Sequence, residues 1–344
     1  MLALFVCLVV PAPLAADSPV PAMETTLGAG FVFDAAAKNS YASWLSTERI
    51  WLDLSIRYGN VFKCNGYLEA GYGADASAPL EADHLIRELS LAFNLGPWGM
   101  ATAGKQRLEW GTARVFSSID TLEAPIDPAE PDTPRRGVTG LRIDIFPTWF
   151  LGITALAVPA RDLQKTLYAG RLELLVADAD IGCGAIRAVG EDGREEPVLF
   201  ADFAWFDRHI GVYGEGRLRH AGTWQQSVTG GLQYETPAWL NGTLRFVAEY
   251  RWRPEYRHSS HLWYGGISGI PLTVKTACSI SALAAPVAKE YLTTFSVNHR
   301  LNQTLTLSVR YDLAQGQDTT PIPASIPLFS KDTQRISVSA SAWF

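Results

Sequence analysis

Residues 335–344, RISVSASAWF, decide the fold because their polar and apolar side chains alternate strictly. Arg335 and three serines fall on one face of an extended chain, and Ile336, Val338, two alanines and Phe344 fall on the other. In a β-strand, successive side chains point to opposite faces. The segment is therefore predicted to be a strand that lies between a polar and an apolar environment.

The same alternation recurs upstream, in stretches of about ten residues, which is the length a tilted strand needs to cross a bilayer. A soluble sandwich shows this periodicity too, but short turn signals here alternate with longer polar connections, as in membrane barrels. The predicted strands are 24–34, 48–58, 61–72, 84–95, 98–110, 138–146, 148–158, 167–178, 180–189, 198–206, 210–219, 224–235, 242–253, 289–299, 303–313 and 335–344. The fold class predicted is all-β: a transmembrane antiparallel up-and-down β-barrel of about sixteen strands. The pattern is weak in the strands at 24–34 and 180–189, and 272–282 could be an additional strand. A barrel of fourteen or eighteen strands therefore stays open.

Composition supports this class. The chain has 47% apolar residues and 11 tryptophans, yet no apolar run reaches the 18 or so residues that a membrane-spanning helix needs. The net charge of −6 argues against a nucleic-acid partner. Three widely spaced cysteines beyond the amino terminus, Cys64, Cys183 and Cys278, argue against a disulfide framework.

Residues 1–16 have the apolar core and small-residue end of a secretory signal peptide. Residues 17–23 then form a short periplasmic segment, and 24–344 form the barrel. We therefore expect export through the periplasm to the bacterial outer membrane, with both chain ends on the periplasmic side and outer-membrane lipid around the barrel.

If the apolar face meets lipid, the polar face lines the lumen. It carries closely spaced charges of both signs, such as Arg142 with Asp144 and Glu249 with Arg251. These charges could neutralise one another in ion-pair ladders, or their cations could form a positive wall that steers solutes; both interpretations stay open. The predicted basic wall consists of Arg57, Lys105, Arg107, Arg142, Arg171, Arg245, Arg251 and Arg310.

Loop 111–137 follows the fifth predicted strand and is rich in acids and prolines. In this topology the chain resembles the sixteen-stranded general porins, whose third outer loop connects the fifth and sixth strands and folds into the pore. The resemblance implies that Asp120, Glu123 and Asp127 form an acidic constriction opposite the basic wall. Long outer loops are also predicted at 254–288 and 314–334.

The closing strand with its terminal Phe344 resembles the assembly signal of bacterial outer-membrane β-barrels. This resemblance implies that the barrel-assembly machinery recognises the C-terminal strand, and the porin resemblance implies a homotrimer. Residues 104–111, GKQRLEWG, together with 135–137, RRG, also look like a pattern in poorly characterised outer-membrane barrels.

The expected function is a porin-like channel for passive diffusion of small hydrophilic solutes, with a preference for anions. Three alternatives stay open: a transporter for hydrophobic compounds resembling the long-chain fatty-acid family, a surface adhesin or receptor on a closed barrel, and, in third place, a hydrolase embedded in the barrel. No catalytic constellation, metal site or cofactor motif is found, so we do not expect an enzyme or a cofactor.

Overall fold

The computed structural model describes residues 23–36, 45–59, 61–73, 86–108, 110–119, 122, 137–160, 162–189, 195–237, 242–255, 260–302, 305–315 and 333–342. The signal peptide predicted at 1–16, residues 17–22 and the terminal Phe344 lie outside these ranges.

Within the described residues the chain forms eighteen strands. Their bounds are β1 Met23–Ala36, β2 Leu45–Tyr58, β3 Phe62–Gly73, β4 Ile86–Asn94, β5 Gly99–Gln106, β6 Val138–Thr148, β7 Leu151–Val158, β8 Leu167–Val176, β9 Ala179–Val189, β10 Glu195–Phe206, β11 Ile210–Ala221, β12 Thr223–Pro237, β13 Thr243–Trp252, β14 His261–Thr273, β15 Thr276–Ala285, β16 Glu290–Arg300, β17 Leu305–Gln315 and β18 Thr333–Ala342. A short 3-10 helix, Leu163–Lys165, precedes β8. No helix in the described ranges is long and apolar enough to cross a membrane.

The strands form one closed antiparallel barrel. Each strand pairs with its neighbours in chain order, and β18 pairs back onto β1, with Ala29 opposite Ala342 and Ala35 opposite Ile336. Closure leaves no strand edge with unpaired backbone groups. The predicted all-β, up-and-down barrel is confirmed, and its strand count is eighteen, one of the two alternatives to sixteen.

The two additional strands correct the prediction of a long outer loop at 254–288, because this region contains β14 and β15. Glycine and proline, which are depleted in strands, made β14 look like a loop. Here Gly269 takes a positive φ of 74°, and a side chain there would collide with the carbonyl oxygen of Thr243. The pairing of β14 with β15 shifts register between Ile267 and Ile270 and again after Pro271, so bulges accommodate both residue types.

The connections differ between the two ends of the barrel. At the end that holds the start of β1 and the end of β18, short turns such as 177–178 and 274–275 join the strands. At the other end the connections include the longer 74–85, 107–137 and 316–332. We call these the turn end and the loop end.

Burial alternates along the strands: outward side chains are mostly apolar and exposed, and inward side chains, many of them polar, are buried. On β10, Leu199 and Phe203 are 47% and 44% exposed, whereas Phe200, Asp202 and Ala204 are each 5% exposed. Buried polar residues recur on the inner face of other strands, including Thr154, Ser227, Thr229 and Asp312. A barrel with an apolar exterior and a polar lumen is the arrangement expected of a protein that crosses a bilayer.

A pair of adjacent residues on β17 tests this assignment of faces. Val309 is exposed on the outer face near the middle of the strand, and Ser308 faces the lumen. We expect Val309→Arg to lower the free energy of unfolding in lipid vesicles by about 2–4 kcal/mol, because it places a cation in the hydrocarbon core. Ser308→Arg should cost much less, since the lumen is hydrated. Urea titration with heat-modifiable electrophoretic mobility measures both, and equal costs would contradict the assignment.

Candidate functional site

The chain leaves the barrel wall after β5 and enters the lumen. Gly104 has a φ of 113° near the end of this strand. Beyond it, the Gln106 amide donates to the carbonyl oxygens of Thr102 and Gly140 at 3.4 and 3.3 Å. Residues 110–119, which we call the inner segment, then lie against lumen-facing side chains of strands far along the chain. This segment is the candidate functional site because it is the described part of loop 111–137 that lies inside the barrel.

Glu215 on β11 holds both ends of the inner segment by their backbone. Its carboxylate accepts the backbone N–H groups of Thr112 at 3.0 Å, Ala113 at 3.3 Å and Ile119 at 3.3 Å, and also that of Ser118. Hydrogen bonds to a charged acceptor are about twice as strong as neutral ones. One buried carboxylate thus brings residues 112–113 and 118–119 together, so that the segment runs out along the wall and returns.

Glu249 on β13 holds the middle of the same excursion. It accepts the N–H of Arg114 at 2.5 Å, that of Val115 at 3.0 and 3.1 Å, and that of Phe116 at 2.9 Å. The hydroxyl of Tyr213 also donates to it at 2.7 Å. Successive backbone N–H groups around one anion form the arrangement known as a nest, and here the anion is a side chain of the wall.

Hydroxyl groups on β12 satisfy other polar groups of the segment. The Ser118 hydroxyl lies 2.8 Å from the Ser227 hydroxyl and 2.7 Å from that of Thr229. Thr229 in turn donates to the carbonyl oxygen of Phe116 at 2.7 Å. These residues are almost fully buried, and burial of unpaired hydroxyls would be costly. These hydrogen bonds therefore fix the position of residues 116–118 along β12.

Arg171 on β8 secures the entry of the segment. One guanidinium nitrogen donates to the carbonyl oxygen of Trp110 at 2.5 Å, and another to Asp202 at 2.9 Å. A third nitrogen lies 3.1 Å from Glu173. This predicted basic-wall residue is buried and holds the inner segment in place.

Two apolar patches of the inner wall receive the apolar side chains of the chain that enters the lumen. In the first, Leu108, Trp110 and Ile119 pack against residues of β7 to β10; in the second, Val115 and Phe116 pack against residues of β14 to β17. The wall residues of the first patch are Leu156, Ala169, Ile186, Val198 and Phe200, and those of the second are Leu262, Leu283, Ala285, Leu292 and Ala314. The segment therefore covers the inner wall between β7 and β17.

Glycines create the space for these contacts. The ring of Tyr213 lies where a side chain at Gly231 would be, and this position brings its hydroxyl to Glu249. At Gly111, a Cβ atom would stand 2.5 Å from a carboxylate oxygen of Glu215. Both contacts need the close approach that only glycine permits.

Five residues of the predicted basic wall form ion pairs in the lumen. Their acidic partners lie on the same strand, on the adjacent strand or on the next strand but one. The pairs are Arg107 with Glu88 at 3.0 Å, Arg142 with Asp144 at 2.8 Å, Arg171 with Asp202 at 2.9 Å, Arg245 with Glu235 at 2.5 Å and Arg310 with Asp312 at 2.8 Å. The ladder interpretation thus describes these five cations.

The other three residues of the predicted wall differ among themselves. Arg57 is exposed near the turn end, with Lys63 as its cross-strand partner. Arg251 is half-buried and pairs across strands with Thr229. Lys105 is buried and comes directly after Gly104, where a positive φ interrupts the alternation of β5.

The predicted constriction acids Asp120, Glu123 and Asp127 lie outside the described residues. The described part of the loop meets two acids of the wall, Glu215 and Glu249. Glu249 is among the lumenal charges predicted from the sequence, and neither acid is predicted there as a site residue. No local signal singles them out, because Gly214 and Gly216, on either side of Glu215, face outward, and a side chain at Gly214 would meet outward Phe203.

No protein-family model matches this sequence, and no curated protein matches it either. Solved structures do match in fold. OccAB1 of Acinetobacter baumannii aligns with a TM-score of 0.59 at 8% identity, over 96% of this chain and 98% of that chain. Wzi of Escherichia coli, a carbohydrate-binding β-barrel involved in capsule assembly, aligns with a TM-score of 0.60 at 10% identity, over 92% of this chain and 83% of that chain.

A third structure is the anion-selective porin from Comamonas acidovorans, with a TM-score of 0.51 at 11% identity, over 94% of this chain and 100% of that chain. Since sequence identity is this low, these likenesses establish the fold. The chain has the barrel fold of outer-membrane porins, and the resemblance in topology predicted from the sequence is confirmed.

The two glutamates can be tested by amide hydrogen exchange of the inner segment. We expect Glu249→Gln to accelerate exchange at residues 114–116 and Glu215→Gln to accelerate it at 112–113 and 118–119. Each change removes charged acceptors and points an amide N–H at backbone donors. Hydrogen bonds to charged groups contribute about 1.5–3 kcal/mol each, so we expect acceleration of about tenfold or more.

A matched control is Asp312→Asn, which removes a lumenal carboxylate that is bonded to Thr294 and Arg310 and not to the segment. Mass spectrometry of peptides that cover 110–119 measures the exchange. Unchanged protection in both glutamate variants would show that the apolar contacts alone hold the segment.

Two adjacent glycines on β12 provide a second test. We expect Gly231→Ala to lower the free energy of unfolding by about 1–3 kcal/mol, since the new methyl group displaces the Tyr213 ring from a packed site. At Gly230 a Cβ atom would meet nothing within 4 Å, so Gly230→Ala should be neutral or should stabilise by up to about 1 kcal/mol through the unfolded chain. Urea titration measures the free energy of unfolding of both variants, and equal effects would contradict the packing of Tyr213 against Gly231.

Proposed function

We propose that this protein is a bacterial outer-membrane channel through which small hydrophilic solutes diffuse passively, and that the inner segment narrows it. The observation that carries the proposal is a segment with seven backbone N–H groups bonded to two wall carboxylates inside a closed barrel with an apolar exterior. A segment held in this way stays at a fixed place in the lumen. A fixed narrowing is what size selection requires.

The path for solutes runs beside the wall that the inner segment leaves uncovered. Barrels with many strands hold an aqueous interior, whereas an eight-stranded one is filled by its own side chains. The segment packs between β7 and β17. On β2 and β3, the lumenal register carries hydrophilic residues, including Asp53, Ser55, Lys63 and Asn65. Solutes would therefore move between this polar wall and the inner segment.

The outer-membrane location follows from the outward apolar face together with the predicted signal peptide. Lipid would contact exposed residues such as Leu199, Leu232 and Val309. The turn end, which holds both ends of the barrel, would face the periplasm. Recognition of the C-terminal strand with Phe344 by the barrel-assembly machinery belongs to the same proposal and rests on the resemblance to the outer-membrane assembly signal. Assembly into a homotrimer rests on the porin resemblance.

The proposed preference for anionic solutes is supported by how the lumenal acids are used. The pairs of Asp144, Asp202 and Asp312 with arginines cancel charges of both signs, whereas Glu215 and Glu249 are occupied by backbone N–H groups. Fixed donors of this kind neutralise carboxylates locally. The acids Asp120, Glu123 and Asp127 would lie across the path and oppose this preference.

The alternative with a specific observation behind it is a receptor or adhesin on a closed barrel. The apolar patches that hold Trp110 and Phe116 would suit a sealed lumen equally well, and one similar structure, Wzi, is described as a carbohydrate-binding barrel. A transporter for hydrophobic compounds would need an apolar path, which the polar register of β2 and β3 does not provide.

Planar-bilayer recording of the purified, refolded protein tests the channel. We expect conductance steps of constant size. The double variant Glu215→Gln with Glu249→Gln should give larger and noisier steps, because the inner segment loses its anchors. Gly230→Ala, on the outer face, serves as the control and should conduct like the wild type. Neutralising Asp120 and Glu123 should raise the anion preference.

Two outcomes would contradict the proposal. A silent bilayer, together with liposomes that do not swell in small sugars, would exclude an open channel and favour the receptor. Conductance that is unchanged in the double variant would exclude the inner segment as the narrowing.

A further inference from the structure

Exposed apolar side chains line the lumen at the turn end, on the side of β5 to β8. Trp98 lies opposite Phe146, whose N–H donates to the Trp98 carbonyl oxygen at 2.7 Å. The Phe146 ring and a carboxylate oxygen of Glu173 both lie within 4 Å of the point where a Cβ atom of Gly152 would stand, so Phe146 faces the lumen together with Glu173. Trp98 and Phe146 are 61% and 47% exposed.

The same register continues on the neighbouring strands. Met100, two residues after Trp98 on β5, pairs across strands with buried Asp144. At the turn end of β7 and β8, Phe150 lies opposite Leu175, whose N–H donates to the Phe150 carbonyl oxygen at 2.9 Å. Met100, Phe150 and Leu175 are 37%, 40% and 38% exposed. We give the name rim patch to Trp98, Met100, Phe146, Phe150 and Leu175.

Lipid does not account for the apolar side chains of the rim patch. They share the lumenal register with Asp144 and Glu173, and the interior of a water-filled membrane barrel is polar. Among the described residues, neither Trp98 nor Phe146 has a ring contact with another aromatic side chain, so the faces of both rings are available. A contiguous apolar patch on a water-facing surface marks a binding site.

Acids lie directly beside the rim patch. Leu175 pairs across strands with Asp180, which is exposed and has no ionic partner among the described residues. The side chain of Glu173 is 49% exposed and lies 3.1 Å from Arg171, but the same guanidinium also pairs with Asp202 at 2.9 Å. One arginine therefore serves two acids, and this side of the rim patch carries net negative charge.

We propose that the rim patch, with Glu173 and Asp180, binds small organic cations that carry apolar groups, in particular quaternary ammonium ions. Such ions have no N–H groups, so aromatic faces and nearby carboxylates hold them without hydrogen bonds. Arg114 makes a contact of this kind at the same end of the lumen, where its Cζ atom lies 5.9 Å from the centroid of the Phe206 ring. Because the rim patch lies at the turn end, a ligand reaches it from the periplasm without passing the inner segment. That orientation rests on the proposed function, whereas binding itself does not.

Calorimetric titration of the refolded full chain in lipid nanodiscs tests binding without conduction. The probe is benzyltrimethylammonium chloride, and empty nanodiscs serve as the blank. We expect the protein to bind this cation and not the neutral benzyl alcohol, because only the cation is attracted by the ring faces and the carboxylates. Heat that does not depend on the protein, or equal affinity for the neutral compound, would overturn the site.

Two variants with matched controls locate the site. We expect Trp98→Ala and Asp180→Asn each to weaken binding of benzyltrimethylammonium by about two- to fivefold, and the double variant by about tenfold, as the loss of one or two exposed cation contacts would. Trp224→Ala removes a tryptophan of the outer face that is 59% exposed, and Asp162→Asn removes an exposed acid at the loop end. Both controls should bind like the wild type, and heat-modifiable mobility shows that each variant is folded. Controls that weaken binding as much as the rim variants would overturn the assignment.

The outcomes distinguish the site from the channel. A silent bilayer with intact binding of benzyltrimethylammonium would overturn the channel and keep the site. Normal conductance without binding would keep the channel and overturn the site.

Discussion

The structure depends on two wall carboxylates that supply hydrogen-bond acceptors to a chain segment inside a closed barrel. Every wall strand already pairs with both neighbours, so a segment that enters the lumen finds no strand edge to join. Buried backbone N–H groups nevertheless need acceptors. Glu215 and Glu249 provide them for residues 112–116 and 118–119, and the position of the inner segment follows from where these two side chains stand.

This anchoring makes the lumen asymmetric. The segment lies over apolar patches between β7 and β17, while the register of β2 and β3 keeps polar residues facing the interior. In the proposed channel, this one arrangement both narrows the lumen and leaves a hydrophilic path beside β2 and β3. Most other lumenal arginines are held by neighbouring acids, so they contribute to the stability of the wall and less to the field that a solute meets.

The sequence predicted the barrel well where the alternation was clean, as in β10, β13 and β17. It failed at β14, where Gly265, Gly266, Gly269 and Pro271 interrupt the pattern and a register shift in the pairing compensates for them. For the site, sequence reasoning selected loop 111–137 and placed its acids opposite a basic wall. In the described part of the loop the acids are on the wall instead, and backbone N–H groups of the loop donate to them. Irregular backbone has N–H groups without strand partners, and no side-chain pattern shows where these groups will bond.

The sequence by itself determined the class of fold and which face of each strand is polar, since these depend on the period of two that neighbouring side chains impose. It also determined that charges line the lumen. Only the tertiary structure decided that Glu215 and Glu249 meet residues about a hundred positions away, that Arg171 holds Trp110, and that Arg114 remains without an acidic partner among the described residues. Such contacts depend on strand register and closure of the barrel, which bring distant residues together and leave no trace in local periodicity.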